Sequence, residues 1–185
     1  MTYKPAFRPN TALYFDGGSH LSMSTPGAGI ANANPTHNEA WSISAWLAGA
    51  PYTTETIWTN HGGNSDPGFS IQYNSAGSFR LRYPFSTSTT TITSTPKLFG
   101  QYGPAQFQCI TVTYDGSGSS SGFCFYYNAY RDLHTSLGSN TVANTASTSN
   151  IKIGFGTASG GTDTEKAQYK MISNVAVWSK KLDGH

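Results

Sequence analysis

The sequence predicts an all-β domain, built as a two-sheet antiparallel jelly-roll sandwich. Only 11% of the 185 residues are charged, whereas 14% are aromatic and 20 residues are Gly, a mixture that favours strands and turns over helices. Apolar residues alternate with polar ones in short segments, and helical periodicity is almost absent. The chain length suits one sandwich better than two domains. About a dozen short strands of this kind need two sheets to bury their apolar faces.

The first segments of the chain are alternating strands. Residues 13–16 and 21–23 flank the turn sequence Asp16-Gly17-Gly18, so we expect them to pair as an opening hairpin. Residues 41–47 are the clearest strand, with apolar side chains on one face and Trp46 on the other.

The middle of the chain continues the pattern. Strands are predicted at 56–59, at 69–73 and at 79–83, and the last of these directs Arg80 and Arg82 to the face opposite its apolar residues. Residues 86–95 are almost all Ser and Thr, and the pattern allows either an edge strand or a loop.

The second half of the chain contains one strong hairpin. Residues 107–114 and 123–127 flank a Ser- and Gly-rich loop, and Asn128-Ala129 predicts a tight turn after them. In this pairing Cys109 lies opposite a residue near Asn128, several positions beyond Cys124, so two free thiols are expected. Two further strands are predicted at 151–155 and 171–178.

Several segments resemble, in the right order, the motifs of laminin-G-like domains in the concanavalin A-like lectin/glucanase superfamily. They are ALYFDG (12–17), WSISAWL (41–47), GFSI (68–71), ITVTYDG (110–116), FYYNA (125–129), IKIG (151–154), ISNVAVW (172–178) and KKL (180–182). The resemblance implies two curved sheets with binding loops at one rim. It also implies one domain over residues 12–182, with an extension at 1–11 and a short end at 183–185. The sequence departs from the family pattern at Phe107-Gln108, where a Trp-His pair is expected, and at Ser173-Asn174, where an acidic pair is expected.

The acidic residues argue against an enzyme. Retaining glycosidases of this fold place two or three carboxylates close together on one strand, because hydrolysis needs a nucleophile and an acid on either side of the glycosidic bond. Glu39, Glu55 and Glu165 are isolated, and the one close pair, Asp163 and Glu165, lies in a Gly- and Thr-rich segment. No Gly-x-Ser-x-Gly nucleophile motif joins a strand to a helix. We therefore predict no catalytic residues.

Metal and sugar sites are predicted only weakly. The five His residues lack the short spacing of a zinc site. Calcium prefers oxygen ligands from loops, and the candidate ligands for it are Asn64, Asp66 and Asp163, although turn formation alone explains such residues. Sugars stack on aromatic rings, and the tyrosines near turns are the candidates for that role: Tyr52, Tyr73, Tyr102 and Tyr130.

The sequence argues against a nucleic-acid partner and against a membrane span. The formal net charge is +2 with scattered basic residues, which predicts no nucleic-acid partner. No segment has the length of apolar sequence that a membrane span needs. Residues 1–7 lack the apolar region of a signal peptide. The simpler interpretation is synthesis without Sec export, and the alternative is a leader that was removed and replaced by an initiator Met.

These observations predict a non-catalytic structural or display module. The predicted setting is the surface of a virus or phage particle, as a capsid decoration, fibre or knob. Other structural subunits of the particle would be its oligomeric partners and host-surface glycans its ligands, and no cofactor is required. The alternative is a soluble, extracellular carbohydrate-binding lectin, and a glycoside hydrolase is the least favoured hypothesis.

Overall fold

The computed structural model is a sandwich of two antiparallel sheets of six strands each, with a separate two-stranded hairpin. It describes residues 11–23, 38–49, 53–60, 68–75, 77–85, 88–93, 107–128, 130–132, 142, 150–156 and 165–182. The strands are β1 (Leu13–Asp16), β2 (Leu21–Met23), β3 (Trp41–Ala48), β4 (Glu55–Thr59), β5 (Ser70–Tyr73), β6 (Phe79–Phe85), β7 (Ser88–Thr93), β8 (Gln108–Tyr114), β9 (Phe123–Tyr127), β10 (Tyr130–Asp132), β11 (Ile151–Ile153), β12 (Phe155–Gly156), β13 (Glu165–Lys166) and β14 (Gln168–Trp178). A 3₁₀ turn, Ser120–Gly122, precedes β9.

Each sheet combines strands from distant parts of the chain. The first sheet has the order β1-β14-β3-β8-β9-β10, and the second sheet has the order β2-β11-β4-β5-β6-β7. The hairpin β12–β13 packs beside β4. The two-sheet jelly-roll sandwich predicted from the sequence is confirmed.

The predicted opening hairpin is wrong, because β1 and β2 belong to different sheets. β1 pairs with β14 in the first sheet, whereas β2 pairs with β11 in the second. The turn between them is held by the Asp16 carboxylate, which accepts hydrogen bonds from the backbone N–H groups of Gly18 at 2.8 Å and Ser19 at 3.1 Å. These two bonds lower the pKa of Asp16. The turn therefore carries the chain from one sheet to the other.

The structure decides between the two alternatives left open for residues 86–95, since this stretch contains β7, an edge strand of the second sheet that pairs with β6. The expectations for the two cysteines and for the turn at Asn128 are confirmed. Cys109 lies opposite Asn128, whose N–H donates to the Cys109 carbonyl at 2.8 Å, and both cysteines are free. Asn128 has a φ of +48°, which suits the tight turn between β9 and β10.

Alternation along the strands builds the core between the sheets. In β3, Trp41, Ile43, Ala45 and Leu47 are buried, while Trp46 is only half-buried on the other face. At one end of the core, Trp41 of the first sheet contacts a cluster of aromatic rings. Its ring centre lies 4.9 Å from that of Phe69, 5.8 Å from that of Tyr114 and 5.9 Å from that of Phe123.

The opposite end of the core contains a buried ion pair. The Lys170 Nζ of β14 lies 2.7 Å from the Glu55 Oε2 of β4, and both side chains are fully buried. The pair therefore joins the first sheet to the second. Burial lowers the pKa of Lys170, while the hydrogen bond to Glu55 acts in the opposite direction.

Gly154 makes the turn from β11 to β12, and we expect it to tolerate no side chain. Its φ is +79°, a left-handed conformation, and a Cβ at this position would overlap the ring of Phe15. Backbone strain and overpacking each cost about 1–3 kcal/mol. The Gly154→Ala variant should therefore lose roughly 2–5 kcal/mol of unfolding free energy, measured by urea denaturation.

Gly118 is the matched control for this prediction. It has a similar φ of +70°, but nothing lies within 4 Å of the position of its Cβ. The Gly118→Ala variant should lose only the conformational part, about 1 kcal/mol. Equal losses in the two variants would contradict the steric role of the Phe15 ring.

Candidate functional site

The outer face of the second sheet carries a polar ladder. Trp58, Ile71 and Leu81 are in register across β4, β5 and β6 and are buried in the core. Since successive side chains of a strand point to opposite faces, the residues beside them point away from the core. Two registered rows result: Thr56, Gln72, Arg80 and Thr93 in one row, and Lys152, Thr59, Ser70 and Arg82 in the other.

The ladder is basic. It contains Arg80, Arg82 and Lys152, and none of the eight residues in its two rows is acidic. Arg82 is nearly buried, at 6% exposure, whereas Arg80 and Lys152 are half-buried and reach solvent. Arginine presents a planar set of donors that binds a carboxylate through two parallel hydrogen bonds. Arg80 is therefore the accessible group on this face best suited to an acidic ligand.

The hairpin β12–β13 forms a wall on the β4 side of the ladder. The Gly154 N–H donates to the Ile57 carbonyl at 3.1 Å, which ties the hairpin to β4. The Ala167 N–H donates to the Gly154 carbonyl at 2.9 Å, which joins the two ends of the hairpin. Gly156 lies so close to Thr56 that a Cβ there would overlap its side chain. The ladder is thus bounded on this side by backbone that has little room to move.

Three basic side chains lie close to the ring of Phe155, which is part of this hairpin. The His20 ring stacks on it at a centre-to-centre distance of 4.5 Å. The Lys152 Nζ lies 4.9 Å from the ring centre and the Lys166 Nζ lies 5.8 Å from it. Cation–π attraction accounts for the positions of both ammonium groups.

The chemistry available on this face is binding through hydrogen bonds and charge. The ladder groups that reach solvent are the Arg80 guanidinium, the Lys152 ammonium and the Thr93 hydroxyl, and such groups donate to sugar hydroxyls and to carboxylates. The neutral side chains in the middle of the ladder are at most 3% exposed: Thr56, Thr59, Ser70 and Gln72. Glu55, one of the acidic residues considered from the sequence, is buried against Lys170 and does not reach this face. Glu39 is exposed in the turn before β3, and Glu165 begins β13.

Of the four tyrosines predicted to bind sugar, the structure describes two. Tyr73 is fully buried in β5, where its ring stacks on Phe79 at 5.0 Å and the Lys170 Nζ lies 5.3 Å from its centre. Burial raises the pKa of Tyr73. This position leaves no face of its ring for a sugar. Tyr130 begins β10 in the first sheet, so the structure does not bring it together with Tyr73 in one sheet.

The remaining predicted residues lie outside the described part of the chain. They are Tyr52 and Tyr102 for sugar, and Asn64, Asp66 and Asp163 for calcium, and they stay predictions. Within the described ranges, no group of three or more His, Cys, Asp or Glu side chains is placed to hold a metal ion. No helix in that part of the chain is long and apolar enough to cross a membrane.

The residues that sequence reasoning did not assign to a site are Arg80, Arg82, Lys152 and Lys166. Alternation in the 79–83 strand placed both arginines away from the core, and this signal was sufficient to find their face. It was not sufficient to show that Lys152 lies in the same row as Arg82, because that depends on strand order.

An apolar groove of about 390 Å³ lies elsewhere, between the edge strands β1 and β2. Its walls include Leu13, Phe15, Leu21 and Ile172. Leu13 and Leu21 are 51% and 43% exposed. The groove is open because the two strands diverge into separate sheets.

No protein-family model matches this sequence, and no curated protein sequence matches it either. Solved structures do match. The carbohydrate-binding module CBM40 of the Ruminococcus gnavus IT-sialidase, bound to α2,3-sialyllactose, is 14% identical, with a TM-score of 0.66 over 94% of this chain and 92% of that one. Domains LG4-5 of the mouse laminin α1 chain are 8% identical, with a TM-score of 0.63 over 94% of this chain and 44% of that one.

A third match is the binding domain of botulinum neurotoxin DC in complex with SialylT. It is 16% identical, with a TM-score of 0.63 over 99% of this chain and 42% of that one. At these identities the similarity establishes the fold. The fold expected from the resemblance to laminin-G-like domains, a two-sheet jelly roll, is confirmed.

Proposed function

We propose that this concanavalin A-like jelly-roll domain is a non-catalytic module that binds acidic glycans on the outer face of its second sheet. The observation that carries the proposal is the basic ladder, in which Arg80, Arg82 and Lys152 share one face with neutral hydroxyl and amide side chains. A carboxylate of the glycan would bind the Arg80 guanidinium. Hydroxyl groups of the sugar ring would bind the Thr93 hydroxyl, which is half-buried at the β7 edge of the ladder.

The similar structures support this proposal through the ligands that they contain. The CBM40 module is bound to sialyllactose, and the neurotoxin domain is in complex with SialylT. The sugar of the first ligand carries a carboxylate. A basic face without described acidic side chains is the electrostatic counterpart of such a ligand.

We predict that Arg80→Gln weakens binding of α2,3-sialyllactose at least tenfold, because a charge-assisted pair of hydrogen bonds is lost. Binding is measured by isothermal titration calorimetry at low salt, where charge contributes most. Arg80 is half-buried and lies on a strand surface, so the melting temperature should change little.

Arg131→Gln is the matched control, since Arg131 is an exposed arginine on β10 of the other sheet. It should leave the affinity unchanged. Equal weakening by both substitutions would indicate general charge attraction and would contradict the assignment of Arg80. Absence of binding of wild-type protein to any sialylated or uronic-acid glycan on an array would overturn the proposed function.

For the setting of this binding domain we propose the surface of a virus or phage particle, where it would be displayed in many copies and would contact host glycans. The free thiols of Cys109 and Cys124 support synthesis in a reducing compartment. Mass spectrometry of purified particles tests the idea, and stoichiometric copies of the chain are expected. Recovery only as a free, sugar-binding protein would favour the soluble lectin instead.

A further inference from the structure

We propose that Lys152 and Lys166, held against Phe155, form a second anion-binding subsite, so that the preferred ligand is a glycan with two acidic sugars. This inference rests on the proposed function for the identity of the ligand. The subsite itself is defined by the positions of the two lysines. The group that it takes is an oxyanion, a carboxylate or a sulfate.

The first step of the argument is the way in which the turn at Gly154 assembles the cluster. Lys152 precedes the turn on β11, and Phe155 follows it on β12. Lys166 is the direct partner of Phe155 across the hairpin. Three neighbouring pieces of backbone therefore bring both ammonium groups within 6 Å of one ring centre, at 4.9 Å and 5.8 Å.

The second step is the charge of the cluster. Among the side chains that the structure describes, no carboxylate lies within ion-pair distance of either lysine. Two like charges near one ring repel each other, and this repulsion is relieved when an anion binds between them. Lysine is a flexible cation that suits oxyanions as a point charge. The Phe155 ring restricts both lysines before any ligand arrives, which lowers the entropy cost of binding.

The third step is the distance between the two basic positions. Lys152 lies on β11 and Arg80 lies on β6, with β4 and β5 between them. Three strand spacings correspond to about 14 Å, and the two residues also lie in different rows of the ladder. One carboxylate cannot contact both positions across this span, whereas two acidic groups of one glycan can. The ladder residues between them are neutral and at most 3% exposed: Thr56, Thr59, Ser70 and Gln72.

The test compares a Lys152→Gln/Lys166→Gln variant with wild type and with a Lys180→Gln/Lys181→Gln control. The control removes the same charge from two lysines that follow β14, at the end of the other sheet. Calorimetry is performed with sialyllactose, which has one acidic sugar, and with disialyllactose, which has two. Wild type and control should prefer the disialylated glycan about tenfold, the gain expected of one added charge-assisted contact. The Lys152→Gln/Lys166→Gln variant should bind the two glycans equally.

A second measurement separates failure of the subsite from failure of the proposed function. Sulfate stabilises most proteins because it is excluded from their surface. The quantity to compare between the variants is therefore the change in melting temperature when chloride is replaced by sulfate. Wild type and control should gain more stability from sulfate than the Lys152→Gln/Lys166→Gln variant. Equal gains in all three proteins, or an unchanged preference for disialyllactose in the variant, would overturn the subsite. If no glycan binds to wild type while the sulfate difference remains, the proposed function fails and the anion subsite stands.

Discussion

Replacement of Lys170 by Met is expected to lower the free energy of unfolding by about 3–5 kcal/mol, because it leaves the Glu55 carboxylate buried without its cation. Both side chains of the pair are fully buried, and the pair joins β14 to β4 across the core. Methionine fills a similar volume, so the loss of unfolding free energy comes more from the removed charge than from changed packing. Urea denaturation at neutral pH measures it.

The double variant Glu55→Leu/Lys170→Met separates charge from shape. Apolar replacement of a whole buried ion pair is often neutral or stabilising, so the double variant should recover most of the loss. A double variant as unstable as Lys170→Met would show that this region of the core tolerates no repacking. An unchanged midpoint in Lys170→Met itself would contradict the buried ion pair.

Replacement of Trp41 by Ala should also cost about 3–5 kcal/mol, the usual range for removing a large buried aromatic ring. Trp41 is 2% exposed, and its ring contacts Phe69, which directly precedes β5 of the second sheet, as well as two aromatic rings of the first sheet. Its loss would leave a cavity at the end of the core where these rings meet. Thermal and urea unfolding of the same samples measure the effect.

The Trp41→Phe variant separates the role of the indole N–H from that of the ring contacts. Within the described residues the Trp41 Nε1 has no hydrogen-bond partner, so a phenyl ring removes a buried donor that is not satisfied. The change keeps most of the ring contacts and should cost less than half as much as Trp41→Ala. Equal losses in the two variants would indicate that the indole edge, rather than the ring cluster, stabilises this end of the sandwich.

The sequence was sufficient to predict the sandwich because the signal is local. Alternation placed Trp41, Ile43 and Leu47 in the core and Trp46 outside it, and burial in β3 follows that pattern. The same alternation directed Arg80 away from the apolar residues of β6. Turn chemistry found the Asn128 turn, whose positive φ agrees with the side chain present.

What the sequence could not supply is information about which strands are neighbours. The segments on either side of Asp16-Gly17-Gly18 have the pattern of a hairpin, yet the side-chain bonds of Asp16 shape a turn that separates β1 from β2. In the sequence, Glu55 is one of several isolated acidic residues, and only the fold shows that Lys170 lies beside it. Lys152 and Lys166 come close to each other only because the fold places the Phe155 ring beside both.

The position of β14 has a consequence for how the chain reaches this structure. β14 is inserted between β1 and β3, two strands that come far earlier in the chain. Until β14 has been synthesised, β3 has one edge that no strand of this sheet covers. Pairings between such distant segments make folding slow. Completion of the first sheet therefore depends on a late pairing, and aggregation through the exposed edge of β3 competes with it.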